Sequence, residues 1–204
     1  MKRFLTTFIG LAGAAFLFIA PAQSATVSIS LDTPGSDTGV IPATTIMGNV
    51  FEGATDSVGG LRRSPWQGTA LEGIGTYTSV SADSVASYKL DTLANQIEFM
   101  WGSVDTYNSI YFFFEGGLVD FVLGQEALDA NPSPTQGLSF GIATILANAY
   151  FDEVQFVSER NAFEYANLNI SAVPLPAALP LYGAGLAVMG FVGWRKRRKA
   201  AATA

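Results

Sequence analysis

Asn108-Ser109-Ile110-Tyr111-Phe112-Phe113-Phe114-Glu115 reads as a β-strand, and its reading decides the fold class. Ile110, Phe112 and Phe114 share one face at a period of two, while Tyr111 and Phe113 share the other. A strand that is apolar on both sides belongs inside a sheet. Downstream, Gly116-Gly117 turns the chain into a second strand, Leu118 to Leu123. Upstream, Gln96 to Trp101 places Ile97, Phe99 and Trp101 on one face, and Ala25 to Asp32 alternates Val27, Ile29 and Leu31 with Thr26, Ser28 and Ser30. Further strands are expected over Leu138 to Leu146, Phe151 to Ser158 and Ala162 to Ile170, with Ser158 to Asn161 as a tight connection between the last two.

Helical signals are scarce. Gln125-Glu126-Ala127-Leu128 supports a turn or two over Gly124 to Ala130, ending before Asn131-Pro132. Residues 33–75 are rich in Gly, Thr, Ser and Pro, and only one strand, near Thr45 to Phe51, is marked there. In the loop Arg62-Arg63-Ser64-Pro65-Trp66 the arginines are expected outside and Trp66 is expected to anchor the segment. Short alternating strands between glycine-rich and polar turns predict an all-β domain, a β-sandwich.

Composition narrows the chemistry. The 204 residues contain neither cysteine nor histidine. That removes thiolate nucleophiles, disulfides and thiolate-bound zinc, and with them the commonest general base and transition-metal ligand. Net charge is −6, but the basic residues cluster at the ends. Between them only Arg62, Arg63, Lys89 and Arg160 face all 17 acids, leaving the centre at about −13. Such a surface repels nucleic acid and anionic membranes.

Residues 1–24 carry the pattern of a secretory signal peptide. Lys2 and Arg3 precede an apolar run from Phe8 to Ala20, and Pro21 ends it. Ala22-Gln23-Ser24 would set a signal-peptidase cut before Ala25, and Ala20-Pro21-Ala22 one before Gln23. Residues 25–172 form the acidic domain, a size that supports one core. Residues 173–204 form a tail. Its uncharged stretch from Leu175 to Trp194 is long enough as a helix to cross a bilayer, giving a single transmembrane span over 175–194. Arg195-Lys196-Arg197-Arg198-Lys199 then acts as a stop-transfer cluster that holds the end in the cytoplasm.

The tail opens on Val173-Pro174-Leu175-Pro176-Ala177. Two prolines one residue apart favour extended backbone, the form a peptidase cleft can take. Motif, apolar helix and terminal basic cluster, in that order, resemble the PEP-CTERM class of bacterial sorting tails in its Val-Pro-Leu-Pro-Ala variant. The resemblance implies that an exosortase, a membrane-embedded cysteine peptidase or transpeptidase, cuts near the motif and releases the domain toward the cell surface or its polysaccharide. Two internal stretches are similar to segments of exosortase-dependent surface proteins: Phe99-Met100-Trp101-Gly102-Ser103-Val104-Asp105-Thr106-Tyr107-Asn108, and Phe151 to Phe156 followed by Asn161 to Asn167. Where that group carries an aspartate before the last asparagine, this chain has Ala166. The similarity implies a jelly-roll-like sandwich exported for display, with no established reaction.

Candidate sites are few. Trp101, Asp105, Tyr107 and Asn108 cluster where a strand meets a turn. Asp105 and Asn108 could supply oxygen ligands to calcium, the one cofactor with any candidate residues, or could bond within the turn while Trp101 and Tyr107 pack inward. Glu98, Glu115 and Glu164 are carboxylates with no spacing that pairs them for acid–base work. Trp66, the aromatic in a polar loop, is the first candidate for stacking on a sugar. Asn169-Ile170-Ser171 fits a glycosylation acceptor pattern of little weight in a bacterial chain. The expectation is a non-catalytic, structural or adhesive surface protein with signal peptidase and an exosortase as processing partners and extracellular polysaccharide as associate. The alternatives are a permanently anchored single-pass membrane protein and a carbohydrate- or calcium-binding module.

Overall fold

The computed structural model describes residues 23–32, 34–133 and 141–172, together with Leu186, Met189 and Phe191 of the C-terminal segment. The expected signal peptide and almost all of the sorting tail lie outside the described residues. Within residues 23–172 the described elements follow in order: β1 (Gln23–Ser24), β2 (Thr26–Ser30), β3 (Thr45–Met47), β4 (Val50–Ala54), β5 (Tyr77–Val80), β6 (Ser84–Trp101), β7 (Asn108–Phe114), β8 (Gly117–Leu123), α1 (Gly124–Ala130), β9 (Gly141–Ser158) and β10 (Phe163–Ala172). The class is all-β, and every strand pairing is antiparallel except the parallel pair of β1 and β8.

Two 18-residue strands, β6 and β9, organise the sheet. Their register runs from Ser84↔Ser158 to Lys89↔Glu153, breaks, and resumes from Gln96↔Leu146 to Trp101↔Gly141. Each strand advances seven residues between Lys89↔Glu153 and Gln96↔Leu146, so both bend together and keep step. On one side of the bend β9 pairs with β7, which continues to β8 and β1, while β6 takes β3. On the other side β9 takes β2, and β6 pairs with β10, which continues to β5 and β4. The sheet thus has two arms sharing two strands.

Aromatic rings from the two arms meet in the core. Phe156 packs on Tyr88 beside it, and across to Phe99, Phe163 and Tyr165, at centroid distances of 5.7, 5.4, 5.4 and 4.3 Å. Trp101 stacks on Phe163 at 4.7 Å, and the Tyr88 and Tyr165 hydroxyls bond at 2.7 Å. Offset and edge-on contacts add to the area these rings remove from water.

Several expected boundaries are corrected. Residues 141–146 and 151–158 belong to one bent strand, β9, in which the buried positions keep step through Phe151 and change phase at Asp152 and Glu153; the start of the expected strand, before Gly141, lies outside the described residues. The strand expected at 96–101 extends back to Ser84. The single strand expected near 45–51 is two, since Gly48 at φ 79° carries the chain from β3 on one arm to β4 on the other. A side chain at Gly48 would also strike Ser84 Oγ. The helix over 124–130 stands where expected, whereas the turn falls one residue before the expected Gly116-Gly117, on Glu115 and Gly116, both at positive φ as a two-residue hairpin turn demands.

A second, smaller core covers the outer side of one arm. Trp66, Tyr77, Met100 and Ala166 are buried together, with Ala54 and Leu71 against them. The loop from 55 to 75 carries Trp66 onto this face. The indole nitrogen donates to the Thr76 carbonyl at 3.0 Å, and the Tyr77 hydroxyl donates to the Asp56 carbonyl. Gly75 permits the close approach, because a Cβ there would lie 2.6 Å from the indole ring.

Candidate functional site

The corner between β6 and β7 gathers most of the polar residues singled out in the sequence. Gly124, the first residue of α1, packs directly against it: a Cβ at this position would run into the backbone carbonyls of Asp105 and Asn108. Asp105 is buried, and its Oδ2 accepts from the Tyr107 hydroxyl at 2.8 Å. That hydroxyl also lies 3.1 Å from the Asn161 carbonyl. Burial and the neighbouring Asp105 carboxylate push the Tyr107 phenol above its ordinary range. Asn108 is fully buried. Its Oδ1 accepts from Ser158 Oγ at 2.8 Å, and its Nδ2 reaches the carbonyls of Ala162 and Ser103 at 3.4 and 3.5 Å. Asp105, Tyr107 and Asn108 are therefore brought together, as turn-forming residues bonded to one another and to the backbone. Trp101 is not with them: it lies in the aromatic core, where its indole N–H finds no hydrogen-bond partner among the described residues.

Glu164 completes this corner, and the sequence reading gave it no such place. It stands near the start of β10 with 1% of its surface exposed. Its Oε1 accepts from the Arg63 backbone N–H at 2.7 Å and its Oε2 from Ser103 Oγ at 2.9 Å. The Gly102 N–H donates to its main-chain carbonyl at 2.7 Å. One side chain thus ties the 55–75 loop to the β6–β7 corner. Burial raises its pKa to about 7, against the lowering effect of the two hydrogen bonds, and the nearby Asp105 charge adds to the rise.

A cleft of about 320 Å³ opens beside these groups, walled by Arg62, Arg63, Asp105, Tyr107, Asn161 and Glu164. Its polar atoms are largely engaged with one another. Asn161 accepts from Ala82 N at 2.9 Å and donates to the Gly60 carbonyl at 3.2 Å. Arg62 is not the exposed arginine expected. It pairs with Asp56 at 2.8 Å and lies over the Phe51 ring at 4.8 Å, which holds Asp56 below its usual carboxylate range. Arg63 is half-buried. The chemistry this arrangement performs best is mechanical: it latches a long loop onto the end of a sheet.

The other expected residues lie apart. Glu98 is exposed within β6, 3.4 Å from Thr144 Oγ1, and Glu115 is exposed in the β7–β8 turn. Neither shares the Glu164 corner. Trp66 is fully buried in the second core and offers no ring to a sugar, because the polar loop around it folds over it. Asn169 and Ser171 sit within β10, in register with Glu98 and Gln96. Among the described residues no three acids are grouped to hold a metal ion. Among them, too, no helix is long and apolar enough to cross a membrane, the expected span over 175–194 being represented by Leu186, Met189 and Phe191, which are helical and exposed.

One further polar clamp lacked any sequence signal. Asn167, at φ 53° in the bulge of β10, accepts from the Thr38 N–H at 2.8 Å and donates to the Ser36 carbonyl at 2.8 Å. Asp37 accepts from Thr76 N–H and hydroxyl at 2.7 and 2.8 Å, bonds that hold its carboxyl below the ordinary value against a raising effect of burial. Together they pin the strap around residues 34–41 over a groove of about 510 Å³. Asparagine tolerates this left-handed backbone better than most residues, which gives Asn167 a conformational reason as well as a bonding one.

No family model, no curated protein and no solved structure matches this chain.

Proposed function

We propose that the chain is an exported bacterial surface protein of structural or adhesive role, not an enzyme, and the substrate of an exosortase that processes its C-terminal tail. The observation that carries this reading is the tail itself. Val173-Pro174-Leu175-Pro176-Ala177 is followed by an uncharged span to Trp194 and a terminal basic cluster. Its position supports the same reading, since β10 ends at Ala172 and the motif begins at the next residue. A peptidase cutting there would leave the last strand whole. We read the two arms, with their rings packed against one another, as a jelly-roll-like β-sandwich built for display. A surface role is consistent with about −13 charges on the mature domain, which keep it soluble and apart from nucleic acid.

The binding-module alternative loses its first sugar-stacking candidate with the burial of Trp66, and the calcium alternative rests on Asp105 and Asn108, both engaged in the corner. Extracellular polysaccharide remains the proposed associate of the released domain.

The test is a double substitution, Pro174→Ala with Pro176→Ala, in the native host. Wild-type protein is expected in the surface or extracellular fraction, and the variant in the inner membrane with its tail intact. Equal retention of both in the membrane would establish a permanent anchor instead.

A further inference from the structure

Two cut sites are open in the sequence, before Gln23 and before Ala25, and they differ by one element of the fold. Gln23 and Ser24 are β1, paired in parallel with Asp120 and Phe121 of β8. The Ser24 carbonyl accepts from Asn148 Nδ2 at 2.9 Å, and its hydroxyl donates to Glu126 Oε1. Asn148 in turn gives its backbone N–H to Asp120 Oδ2 at 2.6 Å, and Glu126 takes the Leu123 N–H at 2.8 Å at the start of α1. Strand β1 is thus knitted to β8, β9 and α1 at once. Ala25, next in line, is buried, and its N–H donates to the Phe121 carbonyl at 2.8 Å.

Resting on the export reading above, we infer that signal peptidase hydrolyses the Ala22–Gln23 bond, so that the mature domain begins at Gln23. Water adds its hydroxyl to the Ala22 carbonyl carbon and a proton to the Gln23 nitrogen. Ala20 and Ala22 occupy the two positions where the peptidase requires small residues. The new ammonium then lies on a strand that keeps its pairing with Asp120 and Phe121 of β8 and its Ser24 bond to Glu126 of α1. A cut before Ala25 does the reverse. It removes β1 with both its pairs and strips Asn148 and Glu126 of their Ser24 partners. It also turns the Ala25 nitrogen, which gives one proton to the Phe121 carbonyl, into an ammonium with three protons to place.

The experiment is peptide mass spectrometry on the secreted protein, together with two full-length variants, Ala20→Phe and Ser24→Phe. The first blocks a cut before Gln23 and leaves the small residues for a cut before Ala25. The second does the opposite. The expected result is an N-terminal peptide starting at Gln23, as glutamine or cyclised with loss of ammonia, with processing at least tenfold slower in Ala20→Phe and unchanged in Ser24→Phe. A mature start at Ala25, or a block confined to Ser24→Phe, overturns the assignment and leaves export standing. A wild-type chain still carrying Met1 overturns the export reading and this assignment with it.

Discussion

Phe156→Ala is expected to lower the unfolding free energy by about 4 kcal/mol, the upper range for emptying a ring from a packed core. Phe156 lies on β9 where the arms face each other, and four rings touch it: Tyr88, Phe99, Phe163 and Tyr165. These partners are held by backbone on two strands, Tyr88 and Phe99 on either side of the β6 bend and Phe163 and Tyr165 on β10, so they cannot close over the hole together. The Tyr88–Tyr165 hydroxyl bond stands over the same site and would admit water if the rings shifted. Urea unfolding followed by tryptophan fluorescence reads the loss directly, since Trp101 packs on Phe163 and Phe99 in the same cluster. Phe156→Leu should cost clearly less. Equal and small losses in both variants would mean that the arms do not share one core.

Glu164→Gln separates the latch from its charge. The folded protein holds the Glu164 proton up to a pH of about 7, whereas a free chain releases it near 4.5. Between those values the folded state binds the extra proton, so stability falls as pH rises through this window, by up to roughly 3 kcal/mol in all. Below it the carboxyl stays neutral and the penalty is absent. A neutral carboxyl suits the site, because its O–H can point to Ser103 Oγ while the other oxygen keeps the Arg63 N–H. Glutamine reproduces that arrangement. Glu164→Gln should therefore match wild type at pH 4 and exceed it at pH 8 by up to roughly 3 kcal/mol, or about 6–12 °C in Tm. Glu164→Ala should be worse than Gln at both pH values, as it orphans the Arg63 N–H and Ser103 hydroxyl. The groups facing Glu164 include Asp105, Tyr77, Tyr107 and Arg63, and subtracting the Gln variant removes their own contributions. A pH-independent difference between wild type and Gln would contradict a buried, proton-holding carboxyl.

The same residue shows where sequence reading runs out. Alternation along Phe163-Glu164-Tyr165-Ala166 puts Glu164 and Ala166 on the solvent side, as it puts Met100 opposite Phe99 and Trp101. All three are buried, because the 55–75 loop builds a second core on that face. Period-two patterning tells which residues share a face, not what will cover it. Trp66 anchors its loop as expected, but its sugar-stacking alternative fails, because the distant strand face that covers the ring and the Gly75 that admits it leave no local signal. By contrast Ile110, Phe112 and the helix at Gly124–Ala130 were legible, since their signals are local. The segment 84–95 was not, because its buried positions include Ser84, Ser87 and Ala86 beside Tyr88, too small or polar to stand out. Asp105 and Asn108 were found as a pair, and their bonding to Tyr107 and Ser158 fits the turn reading weighed beside calcium.

On the proposed function, the domain leaves the cell trimmed at both ends. Intact-mass measurement on protein recovered from the cell surface and medium tests it most directly. The predicted mass is that of a chain from Gln23 to a C-terminus within Val173 to Ala177, free of the apolar span and basic cluster. A single species running from Met1 to Ala204, found in the cytosol, would contradict it.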